Sequence, residues 1–193
     1  VIIDNQSNSH LNFKKLLPQA VVIKKDLSKS SLKKIFSRFD IQGVIHLAAL
    51  KAVNESVKFP LKYYENNVVT SLELLETMDQ FKIFKLIFSS SATIYGNSHQ
   101  SPLSEELAPQ SVNPYGSTKL IIEQMIDDYA NSNGKFKAMS LRYFNPLGAD
   151  TKAGLMDQPS GAPQNLMPIL TQSVRKGKIF KVFGNDYPTP DGT

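Results

Sequence analysis

Apolar residues recur along this chain in two rhythms. Short β-branched runs stand at positions 1–3, closed by Asp4, and at 20–23, followed by Asp26 and Leu27. Further runs at 43–49, 84–89 and 137–143 complete a set of five predicted strands, the third read as buried on both faces. Between them the spacing lengthens to three and four residues. Leu32, Ile35, Phe36 and Phe39 give one apolar face to a short helix that Ser28 or Ser31 can cap. Leu61, Tyr64, Val68, Leu72 and Leu75 predict the buried side of a long helix over 60–78. Pro114 stands where another helix begins, and that one continues to Ser132.

Strands alternating with helices imply parallel βαβ units. The predicted fold is therefore α/β, an incomplete doubly wound parallel sheet of Rossmann-like type. Such sheets bind ligands beyond the carboxyl ends of their strands. Polar or small residues stand at each of those ends: Asp4, Asp26, Ala48 to Lys51, Ser89 to Thr93, and Tyr143 to Asn145. After Asn145 the pattern changes. Pro146, Gly148, Gly154 and Pro159 punctuate a loop, 165–176 has helical spacing, and 179–183 reads as a short strand. The expected division is a sheet domain over 1–147 and the start of a smaller second domain over 148–193.

Composition narrows the class. At 193 residues, 41% hydrophobic and 20% charged, the chain fits a soluble globular protein with a sizeable core. No apolar run is long enough to span a bilayer. No basic-then-apolar leader opens the sequence, so a cytoplasmic protein is expected. The absence of cysteine excludes disulfides and thiolate chemistry. A net charge of +5 raises nucleic acid as a partner. The lysine pairs at 14–15, 24–25 and 33–34 are dispersed, arginines are few, and no aromatics interleave with them, so a solvated basic face is the reading instead. Three scattered histidines suggest no metal, and His46, inside an apolar run, is assigned to the core.

The chemistry centres on Tyr115 and Lys119. Four residues apart, they share one helix face. An ammonium beside a phenol favours the phenolate and draws its pKa down from about 10. A serine hydroxyl bonded to the same substrate oxygen, here Ser91, would complete a proton-transfer device for alcohol carbon. With 7 tyrosines among 193 residues, chance alone gives about 0.7 such Tyr–Lys pairs, so the pair needs its context.

That context is a series of blocks. They read Gly43-Val-Ile-His-Leu-Ala-Ala-Leu-Lys, Tyr63-Tyr-Glu-Asn-Asn-Val, Phe88-Ser-Ser-Ser-Ala-Thr-Ile-Tyr-Gly and Asn113-Pro-Tyr-Gly-Ser-Thr-Lys. Leu141-Arg-Tyr-Phe-Asn-Pro, Asn165-Leu-Met-Pro and Phe183-Gly-Asn-Asp-Tyr-Pro follow. Together, and in this order, they resemble the extended short-chain dehydrogenase/reductase family, and within it its nucleotide-sugar 4-epimerases.

The resemblance implies NAD as cofactor and a UDP-hexose as substrate. The expected reaction interconverts UDP-glucose and UDP-galactose through a 4-keto sugar. Tyr115 would be the acid and base, Lys119 its tuner and a ribose ligand, and Ser91 the hydroxyl on the sugar. Asp4, Asn5 and Asn8 would hold the adenosine, and Asp26 and Leu27 the adenine. Ala48, Ala49 and Lys51 would lie along the cofactor, Asn66 would support it from the long helix, and Tyr143 and Phe144 would border the nicotinamide. Asn145, Asn165, Leu166 and Phe183 would bind the UDP-sugar. The 1–147 region would then be a partial NAD-binding domain and 148–193 the start of a substrate domain. A homodimer through the helices bearing Asn66 and Tyr115 is also implied.

In the family's order a first strand, a Gly-rich pyrophosphate turn and a helix precede the acid-ended strand. This sequence opens at that second strand, and an arginine for the sugar-nucleotide phosphates is expected beyond Asp191-Gly-Thr. Two alternatives follow. One is a related enzyme, an epimerase of N-acetylated or uronic sugars or a 4,6-dehydratase. Dehydration is disfavoured because Ala92 and Thr93 stand where acidic residues would drive loss of water. The other is a non-catalytic fragment unable to bind NAD by itself.

Overall fold

The computed structural model describes residues 1–7, 13–97, 102–148, 166–182, 184, 186, 187, 190 and 192. Asn8, Asn165 and Phe183 lie outside the described residues. The residues divide into two compact units, 1–5 with 13–146, and 6–12 with 147–193.

Among the described residues the first unit holds five strands: β1 (Ile2–Asp4), β2 (Val22–Lys24), β3 (Val44–His46), β4 (Lys85–Ser91) and β5 (Lys137–Tyr143). All pair in parallel, as the βαβ reading requires, but in two sheets. β1 pairs with β2, while β3, β4 and β5 lie side by side in that order. The helices are α1 (Phe13–Leu16), α2 (Lys29–Phe36), α3 (Val53–Lys58), α4 (Pro60–Tyr63), α5 (Thr70–Gln80) and α6 (Pro114–Ser132). Ser28 caps α2 through its side chain and Asn113 caps α6.

The core lies on one face of the larger sheet. Leu86 and Phe88 of β4 meet Leu74, Leu75 and Met78 of α5 and Ile122 and Ile126 of α6, and Leu32, Ile35 and Phe36 of α2 join them. The opposite face is open. Ile45, Ile87 and Met139, aligned across β3, β4 and β5, are 67%, 37% and 60% exposed. The expectation of a third strand buried on both faces therefore fails. β3 is three residues long, and no described helix covers its second side.

The long helix also differs from its prediction. It is interrupted by a π-turn over Tyr64–Val69. Leu61, expected inside, is 80% exposed, and Leu72 is exposed as well. The inward positions are Tyr63, Asn67, Ser71, Leu74, Leu75 and Met78. Leu75 is buried and Val68 packs against the core as expected, but polar groups that find hydrogen-bond partners take much of the inner face, so hydrophobicity alone misplaced Leu61 and Leu72. The sequence reading also passed over α3, and 179–182 form no strand. In the second unit α7 spans Leu166–Lys176 with no buried residue, and Leu166 at its start is exposed.

Candidate functional site

β4 sets the corner where Ser91, Tyr115 and Lys119 meet. It runs two residues further than expected, to Ser91, whose hydroxyl accepts from the backbone N–H and the hydroxyl of Thr93 as the chain turns into a 3-10 turn over Ala92–Tyr95. The next helix is α6, and its first turn lies against this turn. Gly116 makes that approach possible: a Cβ there would lie 2.9 Å from the Thr93 carbonyl oxygen and 2.5 Å from Ser111 Oγ. Gly96 works similarly at φ +59°, where a Cβ would lie 1.9 Å from the Gln110 carbonyl oxygen. Tyr115 is thereby held half-buried beside Ser91.

Lys119, one turn along, is only 3% exposed. Its Nζ donates to the Ser89 carbonyl oxygen at 2.7 Å, and it stands 4.8 Å from the Phe88 ring centre and 5.8 Å from that of Tyr115. Burial pulls its pKa down to about 8. The Tyr115 phenol is raised above its ordinary 10, chiefly because burial disfavours the phenolate, while the Ser91 hydroxyl pulls the other way. The lysine alone therefore does not set the phenol in this arrangement, where burial is the larger influence. In this arrangement burial outweighs the Ser91 hydrogen bond, so the phenol keeps its proton at neutral pH. It becomes a base only when a further stabilising interaction reaches its oxygen.

A buried hydrogen-bond network ties this corner to the loop after β3. Asn67, in the π-turn, accepts at Oδ1 from the Leu50 N–H (2.8 Å). Its Nδ2 lies 3.0 Å from the Leu50 carbonyl oxygen and 3.2 Å from Thr118 Oγ1. It thus holds the loop carrying Ala48, Ala49 and Lys51 as a neighbouring strand would. Ser71 Oγ donates to the Asn67 carbonyl oxygen at 2.7 Å, so its lone pair is left to accept from His46 Nε2 at 2.8 Å. His46 is therefore the neutral Nε2–H tautomer, and burial, aided by the Lys119 charge, lowers its pKa to about 4. Ser56 Oγ accepts from the Tyr115 backbone N–H at 3.2 Å, anchoring the start of α6 from α3.

The other expected residues are more open. Asp4 ends β1 and Asn5 follows it, Asp26 and Leu27 follow β2, and Asn5 Nδ2 donates to Asp26 Oδ1 at 2.7 Å, so the two strand ends do converge. Asp26, Ala48 and Lys51 are exposed, Ala49 is half-buried, and Leu27 packs against the core. Tyr143, Phe144 and Asn145 lie exposed at and beyond the end of β5. Asn66 is exposed and donates to Asn67 Oδ1 at 2.9 Å. The amide buried behind the loop is Asn67, which sequence reasoning missed along with Ser56 and Thr118. Its spacing from Tyr63 and Ser71, four residues each way, was the signal available.

These features fit a dinucleotide. Strand ends bring acids and an amide together, small residues stand in an open loop, and a buried lysine lies beside a phenol. No group of three or more potential metal-ligating side chains occurs among the described residues, and no helix there is long and apolar enough to cross a membrane.

The family model described as NAD dependent epimerase/dehydratase family matches residues 1–192. A UDP-glucose 4-epimerase from Dictyostelium discoideum is 44% identical over 200 residues, taking in all of this chain and 58% of that protein. Among solved structures, the chain is similar to a UDP-glucose 4-epimerase from Stenotrophomonas maltophila with bound NAD and formylated UDP-arabinopyranose. The TM-score is 0.94 and the identity 37%, covering 100% of this chain and 59% of that one. The enzyme from Bifidobacterium longum in complex with NAD+ and UDP gives a TM-score of 0.88 at 38% identity, covering 99% and 59%. The chain thus spans under three fifths of the length of these relatives.

Proposed function

The chain belongs to the NAD dependent epimerase/dehydratase family, and from that premise we propose that it carries the catalytic corner of an enzyme interconverting UDP-glucose and UDP-galactose. The observation carrying this is the Tyr115 hydroxyl beside Ser91, with buried Lys119 one turn below, at the carboxyl end of a parallel strand. The names of the similar proteins and the ligands in their structures support the choice of reaction.

When bound, NAD would supply acceptance and return of a hydride at the sugar's C4. Asp4, Asn5, Asp26 and Leu27 would hold its adenosine end, with Ala48, Ala49, Lys51 and Lys119 along the remainder. Ser91 Oγ would orient the 4-hydroxyl. Tyr115 Oη would take that hydroxyl's proton as the 4-keto sugar forms and give it back after the sugar turns, leaving the reaction redox-neutral. Lys119 stabilises the tyrosinate while it holds that state. Asn145, Leu166 and the residues at 165 and 183 are assigned to the UDP-sugar, with the 148–193 segment as the start of the substrate domain.

The proposal extends to a cytoplasmic homodimer. Exposed Leu61, Val69 and Leu72, with Ile121 on α6, supply apolar surface for self-association. Cell fractionation and sedimentation of the full-length protein test these two points. The reaction is tested by following UDP-galactose conversion by NMR in the full-length protein and its Tyr115→Phe variant. Removing the acid–base group should lower kcat by about 10³-fold. A variant as active as the parent sinks the assignment.

A further inference from the structure

α6 carries a third ionisable group in register with Tyr115 and Lys119. Glu123 lies one more turn along the same face, is buried, and sits where an i,i+4 partner of Lys119 would sit. A buried carboxylate one turn from a buried ammonium should capture it. Yet Lys119 has no ion pair among the described residues, and its Nζ reaches instead to the Ser89 carbonyl oxygen, on the Tyr115 side.

Glu123 is held instead by Arg142, from β5. Its Nε lies 3.2 Å from both Glu123 oxygens and its Nη2 lies 2.7 Å from Oε2, a forked grip. Its Nη1 donates to Tyr95 Oη at 2.8 Å and to the Glu105 carbonyl oxygen at 3.2 Å, and the guanidinium lies 5.2 Å from the Tyr95 ring centre. The pair is largely removed from water, with side-chain exposures of 24% for Arg142 and 7% for Glu123. A lysine in place of Arg142 could not reproduce the fork.

We propose that Arg142 is a positioning residue for the catalytic lysine: by occupying Glu123 it denies Lys119 its helical neighbour and keeps the ammonium aimed at Ser89 and Tyr115. Arg142 touches no reacting atom and acts through Glu123. The other ionisable groups around Lys119 are His46 on β3, which is neutral, and Tyr115 on its own helix. Neither competes for the ammonium as a carboxylate would.

The inference rests on the catalytic reading of Lys119, and its test separates the two. In the full-length protein, Arg142→Met releases Glu123 to pair with Lys119, and a lysine drawn off by an ångström or more should lower kcat by about 10²-fold with KM little changed. Glu123→Gln removes the competing charge and should cost far less. The double variant Arg142→Met/Glu123→Gln should regain most of the lost rate. Lys119 ionisation, read by NMR of ¹³C-methylated lysines without substrate, should rise towards the ordinary lysine range in Arg142→Met and return in the double variant. Should Arg142→Met fail to fold, Arg142→Lys, which keeps a cation without the fork, should show the same change in smaller measure. Equal losses from Arg142→Met and Glu123→Gln, or an unmoved Lys119 in the folded Arg142 variants, would overturn the proposal. A parent protein without epimerase activity would defeat the functional reading alone, because the lysine titration needs no substrate.

Discussion

The two ends of the first unit present their residues under opposite conditions. At β4 and α6, Ser91 and Lys119 are buried, Tyr115 is half-buried, and each turn of the inner face of α6 is tied to another segment: Tyr115 to Ser56, Thr118 to Asn67, Lys119 to Ser89, Glu123 to Arg142. At β1 and β2 the strands are three residues long, and Asn5 and Asp26 meet at an exposed edge. The contrast follows from what each end is proposed to do. Proton transfer depends on donor geometry to fractions of an ångström and gains from exclusion of water. Hydrogen bonds to a ribose and adenine can form as the ligand arrives, so their partners tolerate solvent.

Such burial has a stability cost, and that makes the contrast measurable. The largest effect is expected at Lys119. Its folded pKa of about 8 lies below the ordinary 10.5, so the unfolded chain holds the proton over a range where the folded one has released it. Stability should therefore rise as pH climbs from 8 to 10.5. Lys119→Met should abolish that rise and stabilise the protein at pH 7 by up to roughly 3 kcal/mol in urea titrations, while kcat falls by about 10²-fold. A variant that loses stability instead would show that the lysine's hydrogen bond outweighs its desolvation.

His46 gives the acid counterpart. Its folded pKa of about 4 lies below 6.5, so the unfolded chain takes up the proton first as pH falls. Its contribution is complete above 6.5 and should be lost between 6.5 and 4, on the order of 3 kcal/mol. His46→Gln, followed by thermal melting across that range, should remove this part of the acid sensitivity.

A smaller change tests the close approach of α6 to the Ser91 turn. Gly116→Ala sets a methyl against the Thr93 carbonyl, and should cost roughly 1–3 kcal/mol and displace Tyr115 enough to lower kcat by about tenfold. The smallest effect belongs to the open end. Asp26→Ala should leave stability within about 0.5 kcal/mol of the parent, because its hydrogen bond to Asn5 is exposed. It should nonetheless weaken NAD binding in calorimetry. A large loss of stability there would erase the distinction between the two ends.

Much of this was legible in residue order. Apolar runs marked all five strands, and acid, amide or small residues follow them at the carboxyl ends, the side proposed for the ligand. Ser91, Tyr115 and Lys119 do converge as their spacing and context implied. The errors have a common cause. Buried Asn67, Ser71 and Thr77 were passed over because a helix face paved with them scores as polar, although Ser71 and Thr77 bond back within the helix and Asn67 and Ser71 also meet Leu50 and His46 across the fold. Leu61 and Leu72 were placed inside on their hydrophobicity, and the π-turn lies between them.

The sequence alone determined what depends on neighbours along the chain: strand order, a serine cap ahead of α2, the start of α6 at Pro114, and the shared helix face of Tyr115 and Lys119. Periodicity and local hydrogen bonding set these within a few residues. Only the tertiary structure decided which way the ionisations lean and which partner each charge takes. Desolvation is a property of everything packed around a group. It raises Tyr115 where spacing alone predicted the reverse, and it lowers Lys119 and His46. Arg142 takes Glu123 from a separate strand because a forked guanidinium brought in by the fold matches a carboxylate better than a lysine ammonium does.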